Sequence, residues 1–308
     1  DLDWGLVYET AAQHGVAPLV FTNVISKDGD DLNIPAAITH KFELNTYAQV
    51  IEKKKSAMRL EEALGYFSRQ SIEVMLVKGT ALEQLVYDQP WYTTAQDIDV
   101  VLKRRLEDIP AAELQDIHHT MHDSGIEYDF YCHHDLNING ALPVDFDRIW
   151  ADAHRTTLYE QQVYLMAPED LLISVCINSC RKRFFRLKSI FDIAETARKF
   201  PSLDWEQLAA KAALYDCSPI IYTALRVTYQ TVGCPIPEEA INMLSVQRLR
   251  KKLIDQMISL LAENTALASY PFSGVSLAGR KLNLAIILPY LNYRGYQIWR
   301  KLKEIRTG

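Results

Sequence analysis

The chain has 308 residues, enough for one large domain or a few of ordinary size. Its content of 48% hydrophobic and 23% charged residues is typical of a soluble globular protein, and no apolar run is long enough to span a bilayer. The five cysteines are odd in number and contain no C-x-x-C pair, which disfavours a disulfide framework and favours reduced thiols in a cytoplasm.

The net charge of −6 is distributed unevenly along the chain. Residues 1–167 carry 13 Lys and Arg against 27 Asp and Glu, whereas residues 168–308 carry 20 against 12. One interpretation is an acidic half that collects cations, followed by a basic half that faces a polyanion. The other is that the two halves simply attract each other, and the sequence leaves both open.

The N-terminal part of the chain has mostly helical spacing. Residues 4–26 predict interrupted helix, residues 28–35 a loop, and residues 38–70 one long helix. The three consecutive lysines at positions 53–55 are expected on the solvated side of that long helix.

Runs of β-forming residues begin after residue 70. We expect helices over 79–87 and 105–123, a hairpin over 156–168, and strands over 72–77, 97–103, 125–134 and 141–150. From Pro168 onward the segments have helical spacing and none is a convincing strand. The predicted fold is α+β and mainly helical, with a small mixed sheet in a core of residues 65–167 between helical regions at 1–64 and 168–308.

A pair of aspartates in the strand predicted over 97–103 is the main chemical feature. Side chains alternate along a strand, so Asp97 and Asp99 are expected on one face. With a third carboxylate from a neighbouring strand they suit two divalent cations, and oxygen ligands of this kind suit Mg²⁺ completed by substrate phosphates. A D-x-D pattern occurs elsewhere too, as at Asp145 and Asp147, so the distinguishing signal is the order strand, Lys-Gly turn, helix, loop and D-x-D strand.

This order resembles the polymerase-β-like nucleotidyltransferases, in which a glycine turn starts a helix and faces a two-aspartate strand. The chain is more closely similar to a bacterial family of uncharacterised nucleotidyltransferases, in the segments LVKGTAL, QDIDVVL, PVDFDRIW, PEDLLISVCINSC, RLKSIFDIAETARKF and LDWEQLAAKA. The similarity extends from about residue 5 to residue 240. It implies transfer of a nucleoside monophosphate from an NTP to an unidentified acceptor, with two Mg²⁺ ions and release of pyrophosphate.

The resemblance also implies a role for each matching residue. Asp97 and Asp99 would be metal ligands, and Asp145 would be the third carboxylate, binding one metal and helping to deprotonate the acceptor hydroxyl. Gly79 would let the backbone approach the phosphates at a helix start. The residues implied in nucleotide binding are Lys78, Gly79, Thr80 and Lys188.

Three positions depart from the family pattern. Related sequences carry an arginine and a glycine near the places of Thr93 and Gln96, and commonly a histidine where Asp147 stands. These departures keep open an alternative function, a catalytically weak nucleotide- or partner-binding protein with the same fold. The basic C-terminal half keeps open another, a toxin-like enzyme that modifies RNA or protein. The acceptor could equally be a small molecule that is polyanionic or carries a hydroxyl.

Several other patterns have both a structural and a functional interpretation. His118 and His122 have helical zinc-site spacing, although hydrogen-bonded or surface histidines are more frequent. Cys176 and Cys180 lie within an apolar helix and are expected to be core residues of the protein. Residues 282–306 have an apolar first half and a basic end, like a membrane-surface helix, but their proline and glycine favour packed, broken helices.

Overall fold

The computed structural model describes residues 2–28, 32–95, 97–182, 186–233 and 236–263. Over these ranges the chain is α+β and mainly helical, with one five-stranded mixed sheet, which confirms the predicted fold class. The strands are β1 (Val74–Leu76), β2 (Ile98–Leu102), β3 (Ile126–Phe130), β4 (His154–Leu158) and β5 (Gln161–Leu165). The helices are α1 (Trp4–Gln13), α2 (Ala17–Val20), α3 (Ser26–Asp28), α4 (Ala36–Arg69), α5 (Lys78–Leu85), α6 (Ala111–Ser124), α7 (Phe146–Asp152), α8 (Pro168–Arg181), α9 (Leu187–Lys199), α10 (Trp205–Leu214), α11 (Ser218–Val232), α12 (Glu238–Met243) and α13 (Arg248–Glu263).

The strands are arranged in the order β3-β2-β1-β5-β4. β1 pairs antiparallel with β2 and parallel with β5, β2 pairs parallel with β3, and β4 and β5 form the predicted hairpin. β1 and β2 are buried along their whole length and are rich in Val, Leu and Ile, as central strands of a covered sheet are. The one charged residue in β2, Asp99, therefore lies in an otherwise apolar strand.

The long helix predicted over 38–70 is confirmed as α4, which begins two residues earlier and ends at Arg69. The expectation that residues 53–55 all face solvent is wrong, because Lys53 is buried while Lys54 and Lys55 are exposed. Three consecutive helical residues cover about 200° of the helix circumference, so at least one of them turns toward the protein.

The strand predicted over 141–150 is a second error, since this segment contains α7. Asp145 has extended backbone dihedrals and caps α7, its Oδ1 accepting a hydrogen bond from the Arg148 N–H at 3.0 Å. Phe146, Ile149 and Trp150 are all buried, and this i, i+3, i+4 spacing is that of a helix rather than a strand. An aspartate before such a spacing is a helix-start signal, and it outweighs the β-forming residues.

Most of the apolar residues form one continuous core that contains Phe67 of α4, Leu76 of β1, Leu172 of α8 and Ile221 of α11. A smaller cluster around Phe42 packs α1 and α2 against α4. The core joins the sheet to the C-terminal helices, so the cleft between them has a rigid frame.

The cysteines at 176 and 180 lie in the buried part of α8, which confirms their expected place in the core. No disulfide joins the four cysteines of the described ranges, Cys132, Cys176, Cys180 and Cys217. None of the helices in the described ranges combines the length and the apolar character that crossing a lipid bilayer requires. The segment 282–306 lies outside the described residues.

Candidate active site

The sheet and the C-terminal helices enclose a polar cleft of about 400 Å³. It lies between the start of α5, the start of β2, the second half of α8 and the start of α9. The lining side chains include both acids and bases, in contrast to the apolar core beside them. The charged residues among them are Lys78, Asp97, Asp99, Lys182, Arg186, Lys188 and Asp192.

Asp97 and Asp99 both line this cleft, as expected from strand alternation, but they differ in exposure. Asp97 precedes the first residue of β2 and is exposed, whereas Asp99 lies within β2 and is only 6% exposed. The Asp99 backbone is fixed from both sides, because its N–H donates to Thr80 Oγ1 at 3.3 Å and its carbonyl accepts from the Val77 N–H at 3.3 Å. The pair therefore presents one rigid carboxylate and one at the mouth of the cleft.

Lys78 supplies the cation that offsets the buried charge of Asp99. Its ammonium lies 2.5 Å from Asp99 Oδ1, 2.8 Å from Asp135 Oδ2 and 3.8 Å from Glu127 Oε2. Burial works to lower the pKa of Lys78, but the charges of Asp99 and Asp135 outweigh it and raise the pKa. Lys78 also has φ of +50°, a left-handed conformation that is unusual for a residue with a side chain and is found at functional sites.

Glu127 is an acidic neighbour that the sequence reasoning missed. It lies directly opposite Asp99 in the parallel pairing of β2 with β3. Partial burial and then the charge of Asp99 raise the pKa of Glu127, with a smaller contribution from Asp97. The signal was present in the sequence, since residues paired in neighbouring strands share a face, but the register of β2 on β3 is not readable from one chain.

Asp145, the third carboxylate implied by the resemblance, lies outside the sheet and caps α7. Within the described ranges, no three Asp, Glu, His or Cys side chains are arranged so that they could hold a metal ion. The convergence of Asp145 with Asp97 and Asp99 on shared cations therefore stays a prediction.

Gly79 is required where it stands because α5 begins very close to the loop before β2. A Cβ added at Gly79 would lie 2.7 Å from the Cβ of Ala95, well inside van der Waals contact. Gly79 lines the cleft together with Lys78, whereas Thr80 is buried and its hydroxyl supports the Asp99 backbone. Their roles toward a nucleotide stay predictions.

A buried clamp holds the loop that leads into Asp97. The Lys53 ammonium forms an ion pair with Glu83 and donates to the Ala95 carbonyl at 2.5 Å. Glu83 also accepts a hydrogen bond from the Thr93 hydroxyl at 2.5 Å. Thr93, one of the departures from the family pattern, thus has a structural partner inside the protein. Lys53 is buried although it is a lysine, because Glu83 pairs with its charge.

Lys188 lines the cleft with its charge already paired. It forms an i, i+4 ion pair with Asp192, and its ammonium lies 4.9 Å from the centroid of the Tyr87 ring. The Tyr87 hydroxyl donates to Asp192 Oδ1 at 2.7 Å. Burial and then the charge of Asp192 raise the pKa of Tyr87 well above its usual value, so Tyr87 stays a donor.

Two polar side chains of α8 line the cleft without a hydrogen-bond partner in the described part of the chain. These atoms are Oδ1 of Asn178 and Oγ of Ser179, and Ser179 is only 1% exposed. A buried polar atom without a partner costs about 1–3 kcal/mol, so these atoms suit hydrogen bonds to a bound molecule. The sequence reasoning treated this stretch only as part of a helix, and the apolar spacing of α8 hid them.

Several histidines form hydrogen bonds with neighbouring side chains. His133 and His134 both bond to the carboxylate of Asp129. Burial raises the pKa of Asp129, but the hydrogen bonds from these histidines outweigh it and lower the pKa to about 2. His118 bonds to the hydroxyl of Tyr128. These contacts agree with the hydrogen-bonded interpretation.

Asp147, the third departure from the family pattern, also has structural partners. It accepts hydrogen bonds from Arg105 at 3.0 Å and from the Tyr131 hydroxyl. The Arg105 guanidinium lies 4.1 Å from the centroid of the Tyr131 ring. The three residues form one exposed cluster that joins α7 to the segments after β2 and β3.

The opposite charges of the two halves of the chain meet in the structure. Among the described residues, three ion pairs join a base of the second half to an acid of the first, namely Arg181–Asp135, Lys199–Asp88 and Lys211–Asp152. Internal attraction therefore accounts for part of the charge asymmetry.

A cleft with paired carboxylates and nearby bases has the chemistry that suits a phosphate-bearing ligand together with a cation. The model of a family described as an uncharacterised nucleotidyltransferase matches residues 1–233. The chain belongs to this family, and its membership supports nucleotidyl transfer as the general activity.

One solved structure with a related description is the crystal structure of an antigenic nucleotidyltransferase-like protein from Paracoccidioides brasiliensis. It is 18% identical to this chain, covers 62% of this chain and 94% of its own, and has a TM-score of 0.42. Among curated proteins, none matched the sequence.

Proposed function

We propose that the protein transfers a nucleoside monophosphate from an NTP to an acceptor, by in-line attack of an acceptor hydroxyl or phosphate on the α-phosphate. The observation that carries this proposal is that Asp97 and Asp99 line the same cleft as Lys182, Arg186 and Lys188. A triphosphate needs bases for its own charge and carboxylates for the cations that accompany it.

The cation of this family's reaction fits the oxygen donors of the cleft. Mg²⁺ uses only one or two protein carboxylates when phosphates complete its coordination, so Asp97 and Asp99 suit such an ion, and Asp145 is proposed as the third carboxylate on the resemblance alone. Before a metal ion binds, the Lys78 ammonium supplies the positive charge beside Asp99. When bound, one or two Mg²⁺ ions would neutralise the phosphates and activate the attacking oxygen.

The remaining tasks fall to residues of the cleft and its surroundings. The backbone at Gly79 and the start of α5 would face the phosphates. Asn178 and Ser179 would donate to or accept from the nucleoside, since both line the cleft with atoms that lack partners within the described ranges. We keep Asp145 as the proposed base for the acceptor on the resemblance alone.

A catalytically weak binding protein is the second candidate, and a specific observation favours it. Lys78 already neutralises Asp99, and Thr93 is bonded to Glu83, so two positions suited to a triphosphate have partners in the protein. Under this proposal the cleft binds a nucleotide without turning it over.

The acceptor is proposed only by class. The basic balance of residues 168–308 supports RNA or another polyanion, and a hydroxyl-bearing small molecule or a protein remains an alternative outcome. The cysteines of the described ranges form no disulfide with one another, which supports a reducing compartment such as the cytoplasm.

The two candidate functions are separated by titrating NTPs with and without Mg²⁺ and then incubating the protein with labelled NTPs and a cell extract. An enzyme should raise its melting temperature with Mg²⁺ and NTP together and should label a component of the extract. A binding protein should show the stabilisation without labelling. If no NTP produces either the stabilisation or the labelling, both proposals are contradicted.

A further inference from the structure

We infer that Lys78 is an internal cation that occupies the metal side of the cleft and must leave Asp99 when a divalent ion binds. The inference rests on the proposed function for the presence of the ion, but it concerns what this lysine does before the ion arrives. It predicts an unusual result, namely that removing a positive charge from the cleft tightens metal binding and weakens nucleotide binding.

The first support is the position of the ammonium group. Lys78 Nζ lies 2.5 Å from Asp99 and 2.8 Å from Asp135, with Glu127 at 3.8 Å. An ammonium with carboxylate oxygens on several sides has the neighbours that a hard cation seeks. Because Asp99 Oδ1 is bonded to Lys78, a metal ion must displace that hydrogen bond in order to use the oxygen.

The second support is that Asp135 retains another partner when Lys78 moves. Arg181 lies 2.5 Å from Asp135 Oδ1, while Lys78 bonds to Oδ2 of the same carboxylate. Asp135 therefore keeps its charge compensated by Arg181, and the departure of Lys78 leaves Asp99 and its neighbour Glu127 for the incoming ion to neutralise. A divalent ion in place of the ammonium brings one more positive charge, which Glu127 beside Asp99 can offset.

The third support is the backbone of Lys78 itself. A left-handed φ of +50° at a non-glycine residue costs free energy, and this residue opens α5 directly before Gly79. From this position the Lys78 side chain lines the cleft and its ammonium reaches Asp99 of β2. Once released from Asp99, the same ammonium is placed to meet the phosphates of a nucleotide.

The test is Mn²⁺ binding to Lys78→Met, measured by calorimetry and by the paramagnetic resonance of free Mn²⁺, without nucleotide or acceptor. Loss of a charge-assisted hydrogen bond from the competing ammonium should lower the Mn²⁺ dissociation constant roughly tenfold. Lys78→Arg keeps the competing charge and should bind Mn²⁺ no more tightly than the wild type. Lys182→Met is the matched control, since it removes a lysine from the same cleft without touching Asp99, and its Mn²⁺ affinity should change less than twofold at physiological salt.

A second variant guards against a folding defect. Lys78→Gly also removes the ammonium and accepts the left-handed φ, so it should bind Mn²⁺ as tightly as Lys78→Met. Adding Asp99→Asn to either variant should abolish the gain. ATP affinity measured without metal should fall in Lys78→Met and in Lys78→Gly.

Mn²⁺ affinity that is unchanged or weaker in Lys78→Met and Lys78→Gly would overturn the inference, as would a gain of equal size in Lys182→Met. Tighter Mn²⁺ binding in variants of a chain that transfers no nucleotide would support the inference and contradict the proposed transfer. The two failures are therefore distinguishable.

Discussion

The Lys211 ammonium should be among the most important single charges for the stability of the fold. Lys211 on α10 is 1% exposed and lies 2.6 Å from Asp170 of α8 and 2.9 Å from Asp152 of α7. The other oxygen of Asp170 has no hydrogen-bond partner in the described part of the chain. Lys211→Met keeps the apolar stem and leaves a buried carboxylate uncompensated.

Removing one partner of a buried ion pair costs about 3–5 kcal/mol, so the melting temperature should fall by roughly 10 °C. The assay is urea unfolding followed by circular dichroism at pH 7 and at lower pH. Burial raises the pKa of Asp170 even beside Lys211, so without the lysine the folded state should bind a proton more readily. A raised carboxyl pKa makes stability increase as the pH falls, so the deficit should shrink as the pH is lowered from 7.

Two further variants make this reasoning refutable. The double variant Lys211→Met, Asp170→Leu replaces both partners. It should recover most of the lost stability, because neither charge of this buried pair then remains. Lys199→Met removes an exposed lysine 3.4 Å from Asp88 and should cost less than about 1 kcal/mol. A Lys211→Met protein within 1 kcal/mol of the wild type, or a double variant less stable than the single one, would refute the account of this buried pair.

Three other predictions concern Gly79, Asp129 and the basic half of the chain. Gly79→Ala should destabilise the protein by about 1–3 kcal/mol because of the 2.7 Å contact with Ala95, and Ala95→Gly in the same chain should restore stability in thermal unfolding. The pKa of Asp129 is lowered to about 2, so its stabilising contribution is present above pH 4 and is lost as the pH falls from about 4 to 2. In urea titrations over this pH range, Asp129→Asn should remove about 2 kcal/mol of the acid dependence of stability. If residues 168–308 serve a polyanion, binding of RNA in a filter assay should weaken steeply with salt, and binding that is absent or indifferent to salt would assign their charge to the internal ion pairs.

The sequence predicts the elements whose signal is local. The length of α4, the hairpin of β4 and β5 and the helices after Pro168 all follow from spacing and turn residues. These features depend on neighbours a few residues apart, which one chain contains.

Features that depend on register or on competing local signals are less accessible. Glu127 becomes a neighbour of Asp99 only through the register of β3 on β2. Lys53 reaches Ala95 across 42 positions of sequence, and Asp135 reaches Lys78 from a turn after β3. Asp145 was placed in a strand because its neighbours are β-formers, whereas its capping hydrogen bond to Arg148 starts a helix.

The most direct test of the central claim is nucleotide transfer by the wild type and by Asp99→Asn, with NTPs labelled at the α- or the γ-phosphate. The account predicts Mg²⁺-dependent labelling of an extract component from the α-label and not from the γ-label, with release of pyrophosphate. Asp99→Asn should lose this labelling while it stays folded, because Lys78 keeps its contact with Asp135. Asp123→Asn, which removes an exposed carboxylate at the end of α6, should label as the wild type does. Labelling that persists in Asp99→Asn, or that comes from the γ-phosphate, would contradict nucleotidyl transfer at this cleft.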